Sequence, residues 1–228
     1  MRRENIHQMP FKNSASRAVA RFQIAAVMTL ILAAALAAPC AARHAIAADD
    51  PMSVVQSTVN DALAVLRNRQ VPAAQRREQL KQIIAKSFDF TEMSRSALGY
   101  HWRQISPEQQ QEFSQVFTTF IEDSYLAKIN DYSDQQVQFV TSRNDGPQYA
   151  QVATNIIGSG KDPVAVNYRL LEKDGQWKIY DVTVDAISII ANYRNQFNRV
   201  MNNQGYPKLI SDLKSKQQAL AASLGDRR

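Results

Sequence analysis

The sequence predicts a single α+β domain in which helices come first, an antiparallel sheet follows and helices close the chain. Three observations predict it. Apolar residues recur at helical spacing from Val54 to Tyr125, the period falls to two between Val137 and Val184, and helical spacing returns from Ala186 onward. Short turn-rich links separate the period-two segments, and neither a repeat nor a long linker interrupts the order.

Val54, Val55, Thr58, Val59, Ala62, Leu63 and Leu66 form the apolar stripe of a first helix that follows Pro51 and ends near Arg67. Pro72 suits the first turn of the next helix, whose stripe is Leu80, Ile83 and Ile84. Thr91 is placed to cap a short helix that runs through Leu98 and stops at Gly99. Ser106-Pro107-Glu108-Gln109 has the form of a capping box. It opens the longest helix, where Phe113, Val116, Phe117, Phe120, Ile121, Ser124 and Tyr125 share one face to about Asn130. Four strands follow, Val137–Thr141, Tyr149–Ile157, Val164–Leu171 and Trp177–Val184, joined closely enough to form a meander. In the third, Val164, Val166, Tyr168 and Leu170 alternate with Ala165, Asn167 and Arg169, so one face is apolar. A helix from Ala186 to Asn203 ends at Gly205, another follows Pro207, and Ala221 to Arg228 is expected to fray.

The first 47 residues have the order of a secretory signal peptide. Arg2, Arg3, Lys12, Arg17 and Arg21 precede an apolar run from Phe22 to Ala38, and Ala45-Ile46-Ala47 supplies a small-residue site for cleavage after Ala47. An uncleaved anchor is the alternative, since the run sits at the short edge of what spans a bilayer, but the run is Ala-rich and a cleavage site follows it; a lipoprotein tether at Cys40 would need a small residue where Pro39 stands. The leader also carries the basic character. Six of the 27 Lys and Arg and one of the 21 Asp and Glu precede Ala48, which leaves 21 basic against 20 acidic residues in a domain spanning 48–228. Such a balance gives no basic face for nucleic acid.

Beyond Ala47 there is one histidine, His101, and no cysteine, so thiol and histidine-rich catalytic or metal sites are hard to assemble. His101 reads as a packing or surface residue, Glu122-Asp123 as solvated surface, and Asp181 as a strand-end hydrogen-bonding residue. No catalytic residue, metal site or cofactor is expected. What remains is apolar material on both layers, with Tyr125, Tyr168, Tyr180 and Tyr193 on or near the inward faces, where a polar-tipped aromatic suits a pocket wall.

Three segments carry a family resemblance. They are Phe88-Asp89-Phe90 through Leu98-Gly99-Tyr100-His101-Trp102-Arg103, the Gln- and Phe-rich helix from Ser106 to Tyr125, and Tyr168-Arg169-Leu170-Leu171 through Gly175-Gln176-Trp177-Lys178-Ile179-Tyr180-Asp181-Val182, continuing into Asn192-Tyr193-Arg194-Asn195-Gln196-Phe197. Together they resemble the MlaC family of periplasmic phospholipid-binding proteins, also labelled the toluene-tolerance auxiliary family, which commonly carries Gly where this chain has Ala186. The resemblance implies an NTF2-like fold, a curved four-stranded antiparallel sheet wrapped by helices. It also implies a non-enzymatic carrier holding phospholipid acyl chains, with an inner-membrane MCE-domain ring and its ABC transporter and an outer-membrane lipoprotein–porin complex as partners. Shared phase and the family pattern together nominate Phe117, Ile121, Tyr125, Val152, Ile156, Val166, Tyr168, Ile187 and Ile190 as the acyl-chain lining, Tyr125 and Ile187 foremost. An NTF2-like enzyme acting on a small apolar substrate and a periplasmic chaperone for apolar segments are the competing classes.

Overall fold

The computed structural model describes residues 50–129, 135–158 and 162–225. The expected signal peptide, its cleavage point after Ala47 and Cys40 lie outside these residues. The described elements fall in one unit, Ala47–Arg228.

Helices α1 (Pro51–Arg67) and α2 (Ala73–Ser87) form an N-terminal hairpin. Asp50 caps α1, its carboxylate accepting from the Met52 and Ser53 amides at 2.8 and 3.4 Å. Helix α3 (Phe90–Leu98) is capped by Asp89, whose Oδ1 accepts from the Glu92 amide at 2.8 Å, and not by the expected Thr91. The cap lies two residues earlier because the Asp89 amide is already tied to the Ile179 carbonyl at 2.9 Å, which fixes where the helix turns off the sheet. Gly99, at φ 58° and ψ −128°, stops α3 in a conformation that favours glycine. A 3₁₀ turn over Gly99–Gln104 leads to α4 (Pro107–Ile129). Its capping box forms as the sequence indicates: Ser106 N donates to Gln109 Oε1 at 3.0 Å, and Gln109 N donates to Ser106 Oγ at 3.3 Å.

The sheet is an antiparallel meander of β1 (Gln136–Asn144), β2 (Tyr149–Ile157), β3 (Val164–Lys173), β4 (Gln176–Val184) and β5 (Ile187–Ser188), in that order. The fifth strand is additional to the four expected. Asp185 and Ala186, both at positive φ, turn the chain back onto β4 before the last helix can start, so Val184 faces Ile187 across the hairpin. Bulges between Phe139 and Thr141 on β1, and opposite Arg169 and Leu170 on β4, add local twist.

Helix α5 (Ile189–Gly225) leaves helical geometry at Gly205, φ 76°, just ahead of Pro207, which is the break the sequence predicts. It remains helical through Gly225, so the fraying expected from Ala221 is not seen among the described residues.

Two main cores result. Val55 of α1 packs with Ala150, Val152, Leu170 and Ile179 on one sheet face. Met93, Leu98, Phe113, Phe117, Ile190, Phe197 and Leu209 form a second core among α3, α4 and α5, which reaches the sheet at Tyr180 and Leu171. Phe88, between α2 and α3, packs against both.

Candidate functional site

The apolar face of α4 forms as predicted, but α5 fills it. Tyr193 and Phe197 interlock with Phe113, Phe117 and Phe120, every ring-centroid separation falling between 5.4 and 5.7 Å. Stacked and edge-to-face pairs of this kind leave no room between the rings. Phe117, fully buried, is therefore close-packed helix core. Further along α4 the packing loosens. Tyr125 is partly buried and hydrogen-bonds Tyr193, and burial holds its hydroxyl above the usual tyrosine range. Burial, reinforced by the neighbouring Tyr125, pushes Tyr193 up to about 12. Both hydroxyls thus stay protonated and neutral through the physiological range.

Buried Asp181 lies near this pair. Its carboxylate accepts from Ser188 Oγ at 2.6 Å and from the Ile190 amide at 3.1 Å, while Ser188 Oγ accepts from the Ala191 amide. The expected strand-end role is what Asp181 performs: it pins the start of α5 to β4.

The nine nominated residues do not form one continuous surface. Phe117, Ile121 and Ile190 belong to the helical core, with Tyr125 packed against it. Val152 belongs to the α1–sheet core, with Tyr168 packed against it. Strand register places Val152, Ile156, Val166 and Tyr168 on the same face, and continues that face through Val184 to Ile187. Ile187 departs from the inward position expected of it, being 66% exposed, because it ends a two-residue hairpin at the margin of the sheet instead of lying within a helix.

That departure exposes a feature the sequence reading missed. Helix α1 covers only part of the apolar face. Val137, Ile156, Val164, Val184 and Ile187 share its other end, and none of the five joins either core. Val184 is 37% exposed. The period-two signal for Val137, Val164 and Val184 was present in the strands; which end α1 would cover was not. The result is an apolar strip that begins buried at Val152 and runs out to an open margin at Ile187.

Other expectations sort plainly. His101 is buried, with its ring 3.8 Å from that of Tyr100 and its Nδ1 2.9 Å from Gln104 Oε1, a packing role. Glu122-Asp123 is not solvated surface. Asp123 is buried and accepts from Lys81 Nζ at 3.0 Å, and Glu122 lies 3.9 Å from the same ammonium, so the pair joins α4 to α2. Burial raises the Glu122 carboxyl above its usual range. A surface depression of about 300 Å³ lined by Thr91, Trp102, Gln110 and Ser114 includes none of the nine residues. Among the described residues no three His, Cys, Asp or Glu side chains group as a metal site, and no helix is long and apolar enough to cross a membrane.

The family model described as MlaC protein matches residues 56–215, which takes in all but the first turns of α1 and the end of α5. The chain belongs to the MlaC family. Among curated MlaC relatives, the intermembrane phospholipid transport system binding protein of Haemophilus influenzae is 24% identical over 195 residues, covering 82% of this chain and 89% of its own. The toluene tolerance protein ttg2D of Pseudomonas putida is 27% identical over 165 residues, covering 70% and 77%. A phospholipid-binding protein from Ralstonia solanacearum, solved in complex with a phospholipid, superposes with a TM-score of 0.69 at 26% identity, covering 75% of this chain and 99% of its own. The sheet and helix order of this MlaC chain is thus that of a fold solved with lipid in place.

Proposed function

We propose that this protein is a periplasmic carrier, without enzymatic activity, that encloses phospholipid acyl chains and moves the lipid between an outer-membrane lipoprotein–porin complex and an inner-membrane MCE-domain/ABC transporter complex. The observation that carries this reading is the likeness over nearly the whole domain to a protein solved with a phospholipid bound. The apolar strip from Val152 through Val166 to the open margin at Val184 and Ile187 supports it, because such a strip can receive tails from one end. Ile156 and Tyr168 share that face with the strip; Ile121, Tyr125, Ile190 and the close-packed Phe117 belong to the helical core, of which we propose that the end at the partly buried Tyr125 meets the tails.

Burial energetics explain why a carrier is needed and what it must do. A phospholipid with about 30 tail methylenes, at about 0.8 kcal/mol each, cannot cross water unprotected. Enclosure that strong makes unaided release slow, so unloading requires a partner that favours an open state. The headgroup stays at the mouth, and selectivity among headgroups is weak.

Organic extraction of protein purified from cells, with quantitative mass spectrometry, tests the proposal. Phospholipid at close to stoichiometric yield, with varied headgroups, is the expected result. Protein that is consistently empty, or loaded with peptide instead, would overturn it.

A further inference from the structure

The 3₁₀ turn between α3 and α4 carries the string Gly99-Tyr100-His101-Trp102-Arg103, and none of its residues joins the apolar strip. His101 is buried within it. Trp102 serves two surroundings, because it packs against the helical core and also walls the depression of about 300 Å³. That volume is at the lower end of the range that small-molecule sites occupy. The turn is held at two points: His101 Nδ1 lies 2.9 Å from Gln104 Oε1, and Gln110 Nε2 donates to the Trp102 carbonyl at 2.8 Å. The wall is thus set before any ligand arrives.

The floor is polar. Gln110 and Ser114, like Gln111 and Gln115, are four residues apart on α4, so the four side chains form one patch. Thr91 stands on the rim, and Asp89 has taken the capping role that its hydroxyl was expected to fill. Other hydroxyls on α3 and α4 turn back onto their own helices, Ser94 onto the Phe90 carbonyl, Thr119 onto Gln115 and Ser124 onto Phe120. Ser114, although partly buried, does not. Among the described residues, the side chains of Thr91, Gln111, Ser114 and Gln115 and the Trp102 indole N–H have no hydrogen-bond partner. The depression therefore gathers donors and acceptors that the fold itself does not use.

Its chemistry narrows the ligand. No lining side chain is ionised, so a phosphate finds no cation and a metal ion finds no carboxylate. One indole among amides and hydroxyls offers too little apolar surface for an acyl chain, and a proline-rich segment docks in a groove lined with aromatics. A pyranose ring suits what is present. Its C–H face lies on an indole, and its hydroxyls both donate and accept, as amide and hydroxyl side chains do. We propose that the depression binds a sugar unit of a neutral glycan, with Trp102 as the platform and Gln111, Ser114 and Gln115 as the hydrogen-bonding floor. The site goes beyond the carrier reading and does not depend on it.

Trp102 and Trp177 are the two tryptophans of the chain, so a proton–nitrogen NMR spectrum of the purified protein separates their indole signals once Trp177→Phe has assigned them. Titration with N,N′-diacetylchitobiose and with maltotriose is expected to shift the Trp102 indole and the Gln111 and Gln115 side-chain amides saturably at millimolar concentration, while Trp177 stays still. Gln111→Ala and Gln115→Ala replace exposed helical residues with one that favours the helix, so both variants should fold as the wild type does. Each should weaken saccharide binding about fivefold, and a loss in either supports the floor. Trp102→Ala should abolish binding; should it fail to fold, the two glutamine variants decide. Absence of a saturable Trp102 shift with either saccharide, binding that both glutamine variants leave unchanged, or saturation of Trp102 by hexaproline in place of the saccharides overturns the site. Lipid extracted from the glutamine variants should match the wild type, so this outcome is distinguishable from failure of the carrier proposal.

Discussion

Tyr125 and Ile187 occupy different environments, and the difference sets different forecasts for the same kind of substitution. Tyr125 is partly buried beside Tyr193, so Tyr125→Glu puts a carboxylate where tails would lie; in the empty protein water can reach it. We expect the variant to fold and to be purified with little lipid, whereas a melt lowered to the point of insolubility would mark the position as ordinary core. Ile187→Asp, at a residue 66% exposed, should leave the thermal midpoint within a degree or two and still reduce extracted lipid if the open margin is the entrance. The Lys81 bridge gives a second pair of forecasts. Lys81→Met leaves Asp123 buried without its cation and should destabilise by about 1–3 kcal/mol. Glu122 behaves oppositely, because a carboxyl raised in the folded state favours its protonated form there, and stability falls as pH rises through its range. Glu122→Gln should therefore melt at or above wild type at neutral pH. The same reasoning applies to Tyr193, held up to about 12. The folded state retains a proton that the unfolded chain releases near its ordinary value, so unfolding should grow steeply easier above about pH 10, and Tyr193→Phe should flatten that limb.

At the level of elements, the β4–β5 hairpin is where local sequence and local structure conflict. Its turn needs positive φ at both central positions, and Ala186 supplies φ 65° with a side chain that opposes it. Ala186→Gly should raise stability by about 0.5–1 kcal/mol, the left-handed penalty less glycine's greater chain entropy, measured by denaturant midpoint. A variant no more stable than wild type would mean that Asp181 and Ser188, not the turn, determine the hairpin. The helices show the opposite case. The capping box at Ser106 and Gln109 and the break at Gly205-Pro207 were legible because each depends on a few adjacent residues whose chemistry admits one local solution. The cap of α3 was misplaced by two residues because the choice between Asp89 and Thr91 depends on a contact with Ile179, 90 positions away.

For the whole molecule, two cores meet at Phe88, and the proposed ligand lies along the sheet face that one of them leaves uncovered. A bound lipid then stabilises the folded state by mass action, so delipidated protein should melt below the protein as purified, and phospholipid added back in detergent should restore the difference. Equal melts for loaded and stripped samples would argue against enclosure. The sequence by itself determined the α+β order, the four main strands, the helical stripes and the apolar face of the sheet, because periodicity and turn chemistry act over a few residues. It determined the family as well, since the segments around Leu98-Gly99-Tyr100-His101-Trp102 and Trp177-Lys178-Ile179-Tyr180 are specific as strings. Only the tertiary structure decided that α5 aromatics fill the α4 wall, that α1 stops short of Val164, Val184 and Ile187, and that Glu122-Asp123 faces Lys81. Each of these depends on which apolar face meets which, and a stripe of buried-type residues carries no label for its partner.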